Sequence, residues 1–230
     1  MIKEKDFIEL EYTGKLKEDN IVFDTTDEKT AKDNELFDEK AEYRPITVCV
    51  GQGQVIKGLD KALVGKDLEK EYIIEISPEE AYGKKSAKLI QLVPTSRFRK
   101  ENIQPMPGMQ VNIDGMTGLI KTVSGGRTLV DFNHPLSGKD LVYSIKVNRV
   151  IKDDKEKISS ILKMTLGIND AEIDIKEKKA SMKTKQEIPK EIHGQLKDKI
   201  KELIPGLKEI TILKSENLNI SEPAKKAEGG

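Results

Sequence analysis

Residues Val50 to Lys66 read VGQGQVIKGLDKALVGK, and the fold turns on how this stretch is read. Ile56, Leu59 and Leu63 fall at i, i+3 and i+7, so a helix here has one apolar face. Gly65 stands where a left-handed residue ends a helix most easily. The preceding glycines invite two phosphate-binding readings. Gly53 and Gly58 have the spacing of a P-loop, but Leu59 and Asp60 stand where Lys and Ser/Thr are required. Gly51 and Gly53 begin a dinucleotide fingerprint, yet Ile56 replaces its third glycine. The stretch reads instead as a strand end, a glycine turn and a short amphipathic helix packed on a curved sheet. Such a helix can floor a hydrophobic pocket.

Outward from it, period-two patterns predict strands. Ile8, Leu10 and Tyr12 alternate with Glu9, Glu11 and Thr13 up to the turn at Gly14. Strands follow at Ile21–Asp24, at Ile46, Val48 and Val50, and at Tyr72, Ile74 and Ile76. Between them, residues 26–44 are charged and aperiodic and read as a surface loop with at most one helical turn. Ser77-Pro-Glu-Glu reads as a capping box that opens a single turn before Tyr82-Gly83. Residues 84–131 then carry short strands punctuated by Pro105–Gly108, Asp114-Gly115 and Ser124–Gly126, the texture of a small inserted β module. A long strand resumes with Leu141, Tyr143, Ile145 and Val147 on one face.

Beyond residue 152 the periodicity predicts a helix around Ile158–Leu162, strands at 171–176 and 180–185, a helix opened by Pro189 and a last strand at Ile210–Leu213. The fold class is therefore α+β. The expected division is a split first domain, 1–83 with 132–152, an insert at 84–131, an α+β domain at 153–224 and a disordered tail at 225–230. A domain as small as 153–224 buries little core alone, and homodimerisation through the Pro189–Ile204 helix is the expected remedy.

Composition narrows the function classes. The chain has 230 residues, with 40 Lys+Arg balancing 40 Asp+Glu, so no net field draws it to nucleic acid or a membrane surface. The strip Thr95-Ser-Arg-Phe-Arg-Lys100 reads as a solvated charged turn rather than a nucleic-acid contact. No run of apolar residues reaches membrane-spanning length. The lone Cys49 excludes an internal disulfide framework and fits a reducing cytoplasm. His134 and His193 lack ligand spacing, so no metal or cofactor is expected.

Four motifs in order now carry a resemblance. Tyr12-Thr-Gly14, Val22-Phe-Asp24, the Val55-Ile-Lys-Gly58 end of the opening stretch, and Ala81-Tyr-Gly83 resemble FKBP-type peptidyl-prolyl isomerases. The insert before Asn133-His-Pro-Leu-Ser-Gly138 resembles the insert-in-flap of SlyD-like, long archaeal members. The likeness covers residues 1 to about 152. It implies an antiparallel half-barrel wrapped on the 56–64 helix, and rotation about X-Pro bonds in unfolded or proline-containing polypeptides. The catalytic positions it implies are Tyr12, Phe23, Asp24, Val55, Ile56, Tyr82 and Tyr143, with Ile46, Leu59, His134 and Leu136 around the substrate. Leu59 stands where compact members have a tryptophan floor, and Ile46 replaces an aromatic; both remain apolar.

Taken singly, Tyr12, Phe23 and Tyr143 would be plain core residues and Asp24 a turn residue. It is the motif order that makes them a site. Met106, Met109 and Met116 lie close together in the insert and suit either adaptable peptide binding or ordinary core filling. A non-catalytic chaperone or adaptor is the rival to the enzyme.

Overall fold

The computed structural model describes residues 1–214, so the expectation of a disordered tail lies outside the described residues. Two compact units divide the chain, Met1–Val150 and the part from Ile151 onward.

In the first unit the elements run β1 (Phe7–Leu16), β2 (Val22–Thr25), α1 (Glu28–Asp33), β3 (Ile46–Cys49), α2 (Lys57–Leu63) and β4 (Glu71–Ile76). The chain then forms β5 (Ile90–Pro94), α3 (Thr95–Lys100), β6 (Gln110–Ile113), β7 (Met116–Ser124), β8 (Arg127–Asp131) and β9 (Leu141–Val150). These strands make two sheets. The first has the order β2-β1-β9-β4, with β3 also paired to β1, and every pairing in it is antiparallel. β1 is long enough to hold β3 against Phe7–Leu10 and β2 against Thr13–Lys15 on one edge, while β9 runs along the other. Shifts of register at Glu9/Leu10 and Gly14/Lys15 interrupt these ladders; such bulges bend a strand.

The inward face of this sheet and the apolar side of α2 form one core. Ile8, Leu10, Val48, Leu59, Leu63, Leu141, Ile145 and Val147 are buried in it. Burying a side chain of this size contributes about 1.5–3 kcal/mol, more than a seven-residue helix gains from its own hydrogen bonds. Packing is close because Gly58 faces β4. A Cβ added there would lie 2.5 Å from Ile76 Cγ2, so only glycine lets α2 seat this deeply.

Residues 90–131 form the second sheet, with the order β5-β8-β7-β6. Its own small core joins Val93, Phe98, Val111, Ile113, Ile120, Val130 and Phe132. Here the expectation of a charged turn at Thr95–Lys100 is corrected. The segment is helix α3, because Phe98 turns inward and supplies the burial that its arginines do not need. The capping box at Ser77 is corrected as well. Pro78–Glu80 is a 3-10 turn and the Ser77 side chain caps no backbone N–H. The Glu80 carboxylate turns instead to Lys57 and Lys61 on α2, at 3.1 and 2.9 Å. In the 26–44 loop the helical turn is α1, capped by the Asp27 side chain on the Thr30 N–H.

The second unit consists of α4 (Asp154–Leu166), β10 (Glu172–Lys176), β11 (Lys179–Thr184), α5 (Lys190–Leu203) and β12 (Glu209–Lys214). Its sheet has the order β10-β11-β12, antiparallel and then parallel, α5 being the crossover that a parallel pair demands. Leu196, Ile200 and Leu203 on α5 are buried.

Candidate active site

Strand register assembles the site. Tyr12 and Gly14 point to the inner face of β1, and β9 sets Ile145 opposite the first and Tyr143 opposite the second. β2 lays Asp24 beside Gly14 on the other edge. Phe23 and Tyr143 close over the glycine. A Cβ at Gly14 would meet Phe23 Cζ at 2.8 Å and Tyr143 Cε1 at 3.0 Å. With only hydrogen there, Phe23 meets Tyr143 edge to face, centroids 5.8 Å apart at 80°, and Tyr12 tilts against Tyr143 at 5.9 Å. Both spacings fall in the range aromatic pairs prefer. The Tyr12 hydroxyl donates to Asp24 Oδ2 at 2.8 Å, fixing ring and carboxylate together.

The opposite wall comes from the stretch before α2. Val55 and Ile56 are half-buried against the same core, Leu59 is buried beneath them, and Ile46 packs from β3. The P-loop reading fails here for a positive reason. The buried carboxylate of Asp60 takes the N–H groups of Gly51 and Gly53, at 2.8 and 2.9 Å, which an anion would need. Among the described residues no group accepts from the Ile56 N–H, which leaves this donor available at the wall.

Tyr82 supplies the rim and is not a stray surface aromatic. Its carbonyl accepts from Ser137 Oγ at 3.1 Å, and the next carbonyl, Gly83, accepts from the Gly138 N–H at 2.8 Å. Its ring stacks on His134, centroids 4.2 Å apart and nearly parallel. Leu136 is half-buried, and its N–H donates to His134 Nδ1. Eight of the residues expected at the site, Tyr12, Phe23, Ile46, Val55, Ile56, Leu59, Tyr82 and Tyr143, share one apolar cluster. Asp24 joins them through Tyr12, and His134 through Tyr82. The three methionines do not share one environment. Met106 and Met116 are exposed, whereas Met109 packs on the core of the insert.

Asp60 and Ser137 escaped the sequence reading. A carboxylate in the first turn of a short helix that follows Gly-X-Gly was the available signal for the first. Ser137 offered none, because its partner is a carbonyl far away in the chain.

Burial raises the tyrosine hydroxyls in the site above their ordinary range. For Tyr12 burial acts first and the Asp24 charge second. Burial also leads for Tyr143, with Tyr82 and Asp24 behind it. Tyr82 is raised by burial and Asp24, while the Tyr143 hydroxyl bonded to it pulls the other way. All three therefore stay protonated, as hydrogen-bond donors, wherever the protein is folded at ordinary pH. Spectrophotometric titration of the folded chain should show three tyrosines ionising above about 10, the ordinary value. Asp24→Asn should bring Tyr12 down without returning it to that value, since burial, the larger cause, remains. Ordinary titration of Tyr12 in the unsubstituted chain would contradict this arrangement.

A family profile described as "FKBP26, IF domain" matches residues 91–136. The "Short-type peptidyl-prolyl cis-trans isomerase" of Methanocaldococcus jannaschii is 35% identical over 156 residues, covering 68% of this chain and 98% of that protein. The "FKBP-type peptidyl-prolyl cis-trans isomerase SlyD" of Haemophilus influenzae is 30% identical over 134 residues, 56% of this chain and 70% of its own length. Its Helicobacter pylori namesake is 35% identical over 119 residues, 50% of this chain and 63% of that one. With these identities over 98% and 70% of two such relatives, and with the insert-domain match, the chain belongs to the FKBP-type peptidyl-prolyl cis-trans isomerases, in their SlyD-like form.

Proposed function

We propose that the chain accelerates cis–trans rotation about X-Pro bonds in polypeptides, with the prolyl ring held between Tyr12, Phe23 and Tyr143 on one side and Val55 and Ile56 on the other. The observation that supports this most is the aromatic cluster over Gly14, apolar ring faces set beside tyrosine hydroxyls whose protons are not lost. The barrier to overcome is about 18–20 kcal/mol, because rotation breaks amide resonance. No nucleophile or metal is needed. A dry, apolar wall favours the twisted amide, whose carbonyl carries less charge separation than the planar one. The Ile56 N–H and the Tyr82 hydroxyl hold the flanking carbonyls while Asp24 keeps Tyr12 in place. Leu59 and Ile46 keep the floor and side apolar. A reducing compartment such as the cytoplasm suits a chain whose single cysteine, Cys49, is buried and in no disulfide.

With a short X-Pro peptide and no coupling protease, the intact chain should speed isomerisation. Tyr82→Phe combined with Asp24→Ala should then lower kcat/KM by about tenfold or more, the worth of one or two lost hydrogen bonds. A rate equal to the uncatalysed one would leave only the adaptor reading standing.

A folding-helper role for the insert rests on its outward face. By register, Leu92 lies opposite Leu129, and Ile90 and Leu119 both flank Asp131, so these side chains stand on the face away from the insert core. Leu92 is 59% exposed, Leu119 41% and Ile90 38%. Met106 and Met116 are exposed, but Met116 lies opposite Ile113 on the core side of the sheet, so branched aliphatics make up this face. Unfolded segments are the occupant this apolar face suits. Leu92→Glu with Leu119→Glu should slow chain-assisted refolding of a proline-limited protein while leaving short-peptide catalysis intact; unchanged refolding would remove the insert from that role.

For the second unit we retain homodimerisation, on a different surface. The α5 face that suggested it is already buried, whereas β10 ends its sheet with a free ladder edge among the described residues. Light scattering should give twice the chain mass, and a monomer at high concentration would rule the dimer out.

A further inference from the structure

We propose that Asp60 is a positioning residue of the isomerase site, acting through the backbone of residues 51–56 rather than on the substrate; this rests on the isomerase reading above. Asp60 is 8% exposed, and among the described residues no cation forms an ion pair with it. Its two oxygens are divided between two N–H groups of one turn, Oδ1 to Gly51 at 2.8 Å and Oδ2 to Gly53 at 2.9 Å. Both glycines have positive φ, +81° and +65°, so the turn bends both donors toward one point. The Asp60 N–H meanwhile donates to the Ile56 carbonyl at 3.0 Å. One residue thus grips the chain on both sides of Val55 and Ile56. A further bond, from the Cys49 N–H to Gln54 Oε1, closes the start of the same loop.

The consequence is directional. Val55 and Ile56 sit outside the helix and sheet ladders, so no regular hydrogen-bond pattern sets the angle of the Ile56 N–H. The carboxylate does so instead. Hydrogen bonds to an ionised acceptor are the stronger kind, and burial excludes the water that would compete for them. Asparagine at this position can accept one of the two bonds but faces the other N–H with its own NH2 group. Without the second bond the turn gains freedom, and substrate carbonyls meet a donor that must first be ordered.

The test compares Asp60→Asn with Leu63→Ala in the full chain. Leu63 is fully buried at the far end of the same helix and is neither a clamp residue nor a proposed substrate contact, so its truncation controls for lost packing without removing a clamp bond. Assays run at a temperature where circular dichroism shows both variants folded. Asp60→Asn should lower kcat/KM for a short X-Pro peptide by about tenfold, the effect of one charge-assisted bond, while Leu63→Ala stays within about twofold of the parent. Amide hydrogen exchange supplies a readout independent of catalysis, with Gly51 and Gly53 exchanging at least about tenfold faster in Asp60→Asn. Unchanged exchange at both glycines overturns the clamp even if the parent chain proves inactive. Equal losses of kcat/KM in the two variants reduce Asp60 to a structural residue and overturn the proposal as well. A parent chain without activity but with exchange released as expected would fault the isomerase reading and remove the substrate role of the clamp with it.

Discussion

At Gly14, strand β1 faces Tyr143 of β9 across one edge and Asp24 of β2 across the other, and only hydrogen separates the backbone from two aromatic rings. That close approach brings Phe23 and Tyr143 together, edge to face, over the strand. Any Cβ would push Phe23 and Tyr143 outward, and with them the tilted contact to Tyr12 and its bond to Asp24. The register shift beside Gly14 serves the same end, since it lets β2 bend over the sheet where Phe23 must turn in.

The facing wall obeys a matching constraint. Gly58 lets α2 approach β4, and the Lys57 and Lys61 pairs with Glu80 fasten the helix to the segment that leads into Tyr82. Such exposed pairs contribute little to stability, about 0–1 kcal/mol each, so their value lies in orientation. Between helix and sheet, Asp60 fills the N–H nest of the glycine turn with an anion from the chain itself. A stretch that resembles a phosphate loop in its glycines is thereby closed to phosphate.

The rim and the insert share their supports. The two connections to the second sheet are tied to each other, since Asn133 bonds Ser86 through N–H and carbonyl alike and Asp131 accepts from Asn133. Lys85 lies 3.5 Å from the Asp131 carboxylate. Tyr82 and His134 stack just beside these crossings. The second sheet is therefore rooted in the same two loops that carry Tyr82 and His134.

Much of this is legible in the sequence. Alternation at Ile8–Tyr12 and Leu141–Val147, the apolar spacing of Ile56, Leu59 and Leu63, and the motif order were local patterns, and local patterns survive folding when one face is buried. Thr95–Lys100 misread because a single Phe98 outweighs several charges once a sheet is there to receive it. Ser77 misread because Pro78 and Glu80 satisfy the capping pattern, while two distant lysines compete for the glutamate. Local composition and spacing suffice for the apolar faces, the strands, α2 and the family resemblance. Closure of the glycine turn by Asp60, the hold of Ser137 on Tyr82, and the outer face that Leu92 and Leu119 rather than the methionines make on the insert emerge only on folding. Those outcomes depend on pairing between residues far apart in the chain, and no spacing along a sequence encodes a register between strands.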